Sequence, residues 1–291
     1  MLNLRQTRSV RRKTKFYGDL MTFNVESLEW RRHLAGNVAV TFNNAGVLTL
    51  RGDNDANEVQ VSNSGSTISI YSMSTSFTYN GSPMVTITIA NAQVTDIHAN
   101  LRGGNDRIGI SNLQIQDDLQ VALGSGNDQM TLFNVSIGDS ARVVGGAGND
   151  LITLDTTTVQ GNQIVTLGSG NDTCVQRDST VAGALRVTTG AGADAVSCKS
   201  LTVTTGPLRI NTGAGHDVMI VTDTAQGPSA QIRMGGGDDT ALIADVSVLD
   251  VMLVHGGGGY DELIEILPNE IAENHTLVSI EFIDLGIVQE I

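Results

Sequence analysis

One short phrase, Gly-x-Gly-Asn-Asp, recurs along the chain at a nearly constant interval, and this period constrains the fold more than any other feature. The aspartates that end its eight copies are separated by 22, 22, 22, 22, 23, 22 and 22 residues. They are Asp106, Asp128, Asp150, Asp172, Asp194, Asp217, Asp239 and Asp261. A fixed period in this range is typical of a solenoid, in which each repeat forms one coil and stacks on the next.

Glycine occupies fixed places in these copies, which predicts a tight turn at the same corner of each coil. The residue two before the aspartate is glycine in all eight copies, and the residue four before it is glycine in all but one, where Arg102 stands. Such glycines indicate positive φ or a close backbone approach. In four copies asparagine, which also tolerates left-handed geometry, directly precedes the aspartate. The three cleanest turns contain Gly126, Asn127, Gly148, Asn149, Gly170 and Asn171.

Apolar residues flank each turn with period two, which predicts half-buried strands. They recur seven residues before most of the aspartates, and two, four and nine residues after them. Gln176 and Glu265 are the exceptions at the position four residues after the aspartate. A coil of this length has room for about three short strands and three turns. We therefore predict an all-β fold, a parallel β-helix or β-solenoid with coils of about 22 residues, and we expect the right hand that parallel crossovers prefer.

Stacking of such coils places the aspartates in one column of like charges. Parallel strands lie about 4.8 Å apart, and carboxylates at that distance repel by roughly 3 kcal/mol at an effective dielectric constant of about 20. The column must therefore reach water, take up protons or bind cations. Carboxylates and turn carbonyls together are the ligands that Ca²⁺ prefers, about six to eight oxygens for each ion.

The turn resembles the glycine-rich calcium repeat of the hemolysin-type (RTX) family, G-G-x-G-x-D-x-U-x. Residues 145–153, with the sequence GGAGNDLIT, match this pattern in full. The resemblance extends over residues 99 to 266 and implies bound Ca²⁺, with Asp150, its seven counterparts and the glycines and asparagines of the cleanest turns as the site. In that family the repeat is a nonapeptide, whereas here one copy comes in each coil. The alternative is a turn with stacked asparagines and solvated aspartates that needs no metal.

The start of the chain differs in charge from the rest. Residues 1–33 carry eight Lys or Arg and three Asp or Glu, whereas the remainder carries nine and 28, a net charge of −19. Residues 23–36, FNVESLEWRRHLAG, resemble the leader (F)-x-x-E-S-L-E-x-R-R-L-L-A-G of many large secreted bacterial surface proteins, with Trp30 and His33 as departures. This resemblance implies a secreted or cell-surface location. The acidic body argues against nucleic acid as a partner, and no stretch is long and apolar enough to span a bilayer.

Four segments are predicted. Residues 1–36 are a basic, disordered leader, and residues 37–98 are an irregular β region that caps the solenoid, with Gly52-Asp53-Asn54-Asp55 as a degenerate copy of the turn. Residues 99–266 form the solenoid, and residues 267–291 form a C-terminal capping coil. The expected partners are calcium ions, with cell-surface polysaccharide or other matrix proteins as candidates.

Catalytic chemistry finds little support in the sequence. The five histidines have no metal-ligand spacing, and Cys174 and Cys198 are predicted to be buried free thiols. A polysaccharide lyase or epimerase is the enzymatic alternative, since Asp155, Arg177 and Lys199 should stack on an outer face where they could bind an acidic sugar. The same ladder is more simply a surface ion pair. We therefore predict a non-enzymatic, calcium-binding structural or adhesive module.

Overall fold

The computed structural model describes residues 36–90, 94–266, 270–271, 274–278 and 282–286. The predicted leader, up to residue 35, and most of the predicted C-terminal coil lie outside these residues. The described residues form strands and turns, and none of them belongs to a helix that is long and apolar enough to cross a membrane.

Eight strands precede the first complete repeat. They are β1 (Asn37–Phe42), β2 (Val47–Arg51), β3 (Glu58–Asn63), β4 (Thr67–Tyr71), β5 (Ser76–Tyr79), β6 (Ser82–Met84), β7 (Thr86–Ala90) and β8 (Asp96–Asn100).

The repeats supply long strands in regular alternation, followed by three shorter ones. They are β9 (Arg107–Ile115), β10 (Leu119–Ser125), β11 (Gln129–Ile137), β12 (Ala141–Ala147), β13 (Leu151–Val159), β14 (Gln163–Ser169), β15 (Thr173–Val181), β16 (Leu185–Ala191), β17 (Ala195–Val203), β18 (Leu208–Ala214), β19 (Val218–Gln226), β20 (Ser229–Gly236), β21 (Thr240–Val248), β22 (Val251–Gly258), β23 (Glu262–Ile266), β24 (Glu270–Ile271), β25 (Asn274–Val278) and β26 (Phe282–Gly286).

From β8 to β23 the chain alternates between two parallel sheets. The even-numbered strands β8 to β22 lie side by side in what we call the first sheet, and the odd-numbered strands β9 to β23 in the second sheet. Each strand pairs with its counterpart one coil away, so that Val121 lies beside Val143 in the first sheet and Met130 beside Ile152 in the second. The predicted parallel β-solenoid with 22-residue coils is therefore confirmed.

Each coil contains two strands, and the prediction of three was wrong. The nine-residue strands of the second sheet bend at one residue with left-handed φ, for example Asn134 at 53° and Thr156 at 53°. Two successive side chains point outward at this bend. Beyond it, buried and outward-facing side chains alternate again, shifted by one residue relative to the first half of the strand. One left-handed residue thus makes the third corner without interrupting the strand.

The core lies between the two sheets and consists of stacked apolar side chains. Val143, Val165 and Val187 of the first sheet are buried, as are Ile152, Cys174 and Val196 of the second. The two cysteines are free and buried, as predicted. Because each coil buries its apolar residues only against its neighbours, this core depends on continuous stacking.

A polar pair accounts for the interruption of the apolar ladder at Gln176. Gln176 and Gln163, which belong to β15 and β14, are both buried, and each amide nitrogen donates to the other's Oε1 at 3.0 and 3.2 Å. Each amide thus supplies the hydrogen-bond partner that the other needs in the buried core.

Removal of one member of this pair should cost more than removal of both. We expect Gln163→Leu or Gln176→Leu to lower the free energy of unfolding by about 1–3 kcal/mol, because the remaining amide loses its partner. The double variant Gln163→Leu/Gln176→Leu should lie close to the wild type. Denaturant unfolding of the four proteins measures the coupling, and additive losses would show that the two amides do not depend on one another.

The N-terminal end of the solenoid is closed by antiparallel strands. β2 and β3 pair in parallel with β8 and β9 and so make one further coil. β1 is antiparallel to β2, and β4 is antiparallel to β3 and to β7. In this coil the residue in register with Asp106 is Asn57, so the degenerate copy predicted to end at Asp55 is out of place by two residues.

Candidate metal centre: the aspartate column

The glycine turn joins each strand of the first sheet to the next strand of the second, and contact between coils explains its glycines. Gly148 has a φ of 119° and Gly170 a φ of 126°. A Cβ on Gly148 would collide with the carbonyl oxygen of Gly126, and a Cβ on Gly170 would collide with that of Gly148. The position two residues before the aspartate therefore needs glycine for two reasons. Its φ is positive, and the preceding coil leaves no room for a Cβ.

The eight aspartates point inward from these turns and form one buried column, which we call the aspartate column. Each is at most 2% exposed. In each, Oδ1 accepts a hydrogen bond from the backbone N–H of the residue one coil earlier in the column, as Asp128 Oδ1 does from the N–H of Asp106 at 2.7 Å. The same bond recurs at Asp150, Asp172, Asp194, Asp217, Asp239 and Asp261, at 2.7 to 3.2 Å.

In seven of the eight aspartates the other carboxylate oxygen has no donor within the part of the chain that the structure describes. Seven buried Oδ2 atoms have no hydrogen-bond partner among the described residues. They belong to Asp106, Asp128, Asp150, Asp172, Asp194, Asp217 and Asp239. A Cβ on Gly145 would collide with Oδ2 of Asp150, so this oxygen points toward the position five before its own aspartate. Buried Leu101, Leu123, Leu167 and Met234 hold that position in four other coils, so the surroundings there are apolar. Buried Thr189 and Thr212 hold it in two more, where their hydroxyls donate to the carbonyls of Thr212 and Met234. Thr212 also acts on Asp217 and lowers its pKa, against the larger effect of burial.

Burial disfavours the ionised form of these carboxyls. It raises the pKa of Asp106 and Asp150 to about 7 and that of Asp172 and Asp239 to about 6. The pKa values of Asp128 and Asp217 are raised for the same reason. The hydrogen bonds from the preceding coil act in the opposite direction but do not offset desolvation. Because all eight carboxyls are buried, the solvated aspartates of the metal-free alternative are excluded.

The asparagines of the turns belong to a separate, exposed ladder. Asn105, Asn127 and Asn149 each accept, through Oδ1, the backbone N–H of the residue one coil later, at 2.7 to 2.8 Å. Asn171 accepts from Ala193 in the same way at 2.9 Å. These amides face solvent while the neighbouring aspartates face inward. Asn127, Asn149 and Asn171 thus lie on the opposite side of the turn from the unpartnered oxygens.

Later copies keep this exposed ladder with other side chains. His216 Nδ1 lies 2.9 Å from the backbone N–H of Asp238, and Asp238 Oδ1 accepts the N–H of Tyr260 at 2.8 Å. A side-chain acceptor thus holds this position in six of the eight copies, and Ala193 and Tyr260 hold it in the other two. His216 and Asp238 therefore replace asparagine without loss of the acceptor.

Column residues fit a hard cation in charge and in donor type. The unpartnered atoms are carboxylate oxygens, which Ca²⁺ prefers, and they lie where an unneutralised charge is costly. Within the described residues no three acidic, histidine or cysteine side chains form a metal-binding group. Two carboxylates from successive coils would therefore need backbone carbonyls of the turns to complete the shell of an ion.

Asn57 is a member of the column that sequence reasoning missed. It is buried, its backbone N–H donates to Asp106 Oδ1 at 2.7 Å, and its Nδ2 lies 3.3 Å from the same atom. The column therefore begins with a neutral amide. A sequence separation of 49 positions hides this relation between Asn57 and Asp106, because the hairpins of the N-terminal end interrupt the period.

The outer ladder of Asp155, Arg177 and Lys199 stacks as predicted on the second sheet. Arg177 Nη2 donates to Asp155 Oδ2 at 2.6 Å, and this pair is the one salt bridge found among the described residues. The guanidinium holds the pKa of the Asp155 carboxyl below its usual value. Such an exposed pair contributes little to stability.

No protein-family model matches the chain, and searches of curated proteins and of solved structures gave no match either. What the chain does is therefore inferred from the chemistry of the aspartate column and of the two outer faces.

Proposed function

We propose that the chain is a calcium-binding structural β-solenoid that acts as a rigid secreted or cell-surface module. One observation carries the proposal: seven buried carboxylate oxygens, stacked coil on coil, have no hydrogen-bond donor among the described residues. Ionised carboxylates in such a position require a cation. Calcium is the cation whose preference for carboxylate and carbonyl oxygens matches the donors at this corner.

Binding of calcium would couple to folding. Successive carboxylates are brought together only when the coils stack, so the free energy of binding contributes to the free energy of folding. Such a chain folds where calcium is abundant, which agrees with the resemblance of residues 23–36 to the leader of secreted surface proteins. We assign no reaction to the chain.

Thermal unfolding of the full chain tests the proposal. We expect the midpoint followed by circular dichroism at pH 7.5 to rise by about 10 °C or more between EDTA and saturating calcium, since several sites each contribute about 2.7 kcal/mol at a calcium concentration of one hundred times Kd. Magnesium at the same concentration is the control and should have a much smaller effect, because it demands a stricter octahedral shell. Equal midpoints in EDTA and calcium would exclude calcium as the ligand of the column.

A metal-free solenoid is the second candidate, and the raised pKa values of the column favour it. With pKa values of about 6 to 7, Asp106, Asp150, Asp172 and Asp239 could carry protons near neutral pH. A proton on Oδ2 removes the charge, so a protonated column needs no ion. In this case the module is structural and its stability depends on pH alone.

The variant Asp150→Asn/Asp172→Asn separates the two candidates. Asparagine already occupies this column at Asn57, so the shape is compatible. If calcium binds, the variant should lose a large part of the calcium-induced rise in midpoint while becoming more stable than the wild type in EDTA at pH 8. If the column holds only protons, the wild type does not respond to calcium and the variant is more stable in both buffers.

A further inference from the structure

The outer face of the first sheet is basic, although the body of the protein is acidic. Arg142, Arg186, Arg209 and Arg233 project from β12, β16, β18 and β20, and all four are exposed. We call this surface the arginine face. It holds four of the nine basic residues that follow residue 33, whereas the same part of the chain carries 28 acidic residues.

Acidic residues are excluded from this surface. No strand of the first sheet from β10 to β22 contains Asp or Glu. The corners that precede β16 and β18, at residues 182–184 and 204–207, also contain none, whereas Asp118 and Asp139 lie at corners of earlier coils and Asp250 lies at the corner before β22. None of the four arginines is in a salt bridge within the described residues, in contrast to Arg177 on the second sheet.

The arrangement of the arginines is unfavourable for stability. Arg186 and Arg209 are direct neighbours on adjacent parallel strands. Arg233 belongs to the next coil, where it lies beside Asn211, a residue of the same strand as Arg209. Like charges directly opposite one another in a sheet are destabilising. Arg186 Nε donates to Thr188 Oγ1 at 3.3 Å, a contact along its own strand that leaves the end of the guanidinium free. The three guanidinium groups border a shallow groove of about 210 Å³ that also contains Gln231.

We propose that the arginine face binds a linear polysaccharide that carries carboxylate groups, a polyuronate. Arginine binds carboxylate through two parallel hydrogen bonds. Arg186 and Arg209 lie one strand spacing apart, about 4.8 Å along the solenoid axis, and a chain of pyranose rings offers one carboxylate per ring at a similar interval. Arg233 lies one coil further on and two residues along the strand from the register of Arg209. This inference does not depend on whether the aspartate column holds calcium.

Nucleic acid fits this surface less well. A duplex carries one negative charge per about 1.7 Å of axis, so the acidic remainder of the body would repel most of its length. Single strands are held by stacking on aromatic side chains, and the first-sheet strands from β8 to β22 contain no Phe, Tyr or Trp. A polyuronate has a lower charge density and needs no stacking platform when arginines are available.

Calorimetric titration of the full chain with a short oligogalacturonate tests this assignment. We expect binding at low ionic strength that weakens as salt is added, because exposed charges are screened. The variant Arg186→Gln/Arg209→Gln/Arg233→Gln should lose at least about tenfold in affinity, since hydrogen bonds to charged groups are removed. Arg209→Gln alone should show a smaller loss in the same direction, and it replaces the triple variant if that protein does not fold.

The matched control is Arg107→Gln/Arg177→Gln/Lys199→Gln, which removes the same formal charge from exposed positions of the second sheet. This control should bind the oligogalacturonate within about twofold of the wild type, since its substitutions lie on the other face.

Equal losses of affinity in both triple variants would show that net charge alone accounts for the binding, and would overturn the assignment. Three further results would overturn it as well: no binding by the wild type, binding that disappears in EDTA while the fold persists, or tighter binding to duplex DNA or to phosphatidylserine vesicles.

Discussion

Replacement of Gly148 by alanine should abolish stable folding or lower the free energy of unfolding on the order of 4 kcal/mol. The new Cβ would collide with the carbonyl oxygen of Gly126 and would lie 3.0 Å from Oδ1 of Asn127, both in the preceding coil. Gly148 also has a φ of 119°, which alanine rarely adopts. Backbone atoms of a stacked coil cannot move away singly, so the strain must separate the coils.

Gly236→Ala is the matched control. Gly236 lies in an equivalent turn, three before Asp239, and a Cβ there would meet nothing within 4 Å. The corresponding residues of other copies are Ser125, Ala147 and Ala191, so a side chain is already tolerated at this position. We expect its stability to be unchanged or raised by about 0.4–1 kcal/mol. Denaturant unfolding in EDTA and in calcium compares the two variants, and a Gly148→Ala protein as stable as Gly236→Ala would contradict the packing of the turns.

Acidification should stabilise the protein when calcium is absent. The folded-state pKa values of Asp106 and Asp150 are about 7 and those of Asp172 and Asp239 about 6, against 3.8 for an unperturbed aspartate. The folded chain therefore binds more protons than the unfolded chain between about pH 4 and pH 7, and the stability from these groups is lost as the pH rises through 6 to 7. In EDTA we expect the unfolding midpoint to be about 10 °C or more higher at pH 5 than at pH 8.

Saturating calcium should reverse this trend. Ions bind the ionised carboxylates, so protons compete with them and the midpoint should fall on acidification. The variant Asp150→Asn/Asp172→Asn should show a weaker pH dependence than the wild type in EDTA, because two of the titrating groups are removed. A wild-type midpoint in EDTA that is constant or falls between pH 8 and pH 5 would show that the column is not buried as described.

The fold and the position of the candidate site could be predicted to a large extent from the period. The aspartates at intervals of 22 or 23 residues lie in one column, and the apolar positions around them form the core, as expected from identical phases in stacked coils. The number of strands per coil was not predicted, although the single-residue corner six after each aspartate carries a signal. Five of its seven residues are Asn or Asp, which tolerate left-handed φ, namely Asn112, Asn134, Asp178, Asp223 and Asp245. The role of Gln176 could not be predicted, since its partner Gln163 comes from the facing sheet.

The sequence by itself determined the period, the parallel stacking and the presence of a carboxylate column, because a side-chain type at a constant interval has only one way to align in a solenoid. Only the tertiary structure decided where that column lies. The turn directs each aspartate inward and the adjoining residue outward, and the preceding coil then occupies Oδ1. From Asp106 to Asp239 this leaves Oδ2 without a donor among the described residues. These outcomes depend on positive φ angles and on contact between coils, which the order of residues within one coil does not contain.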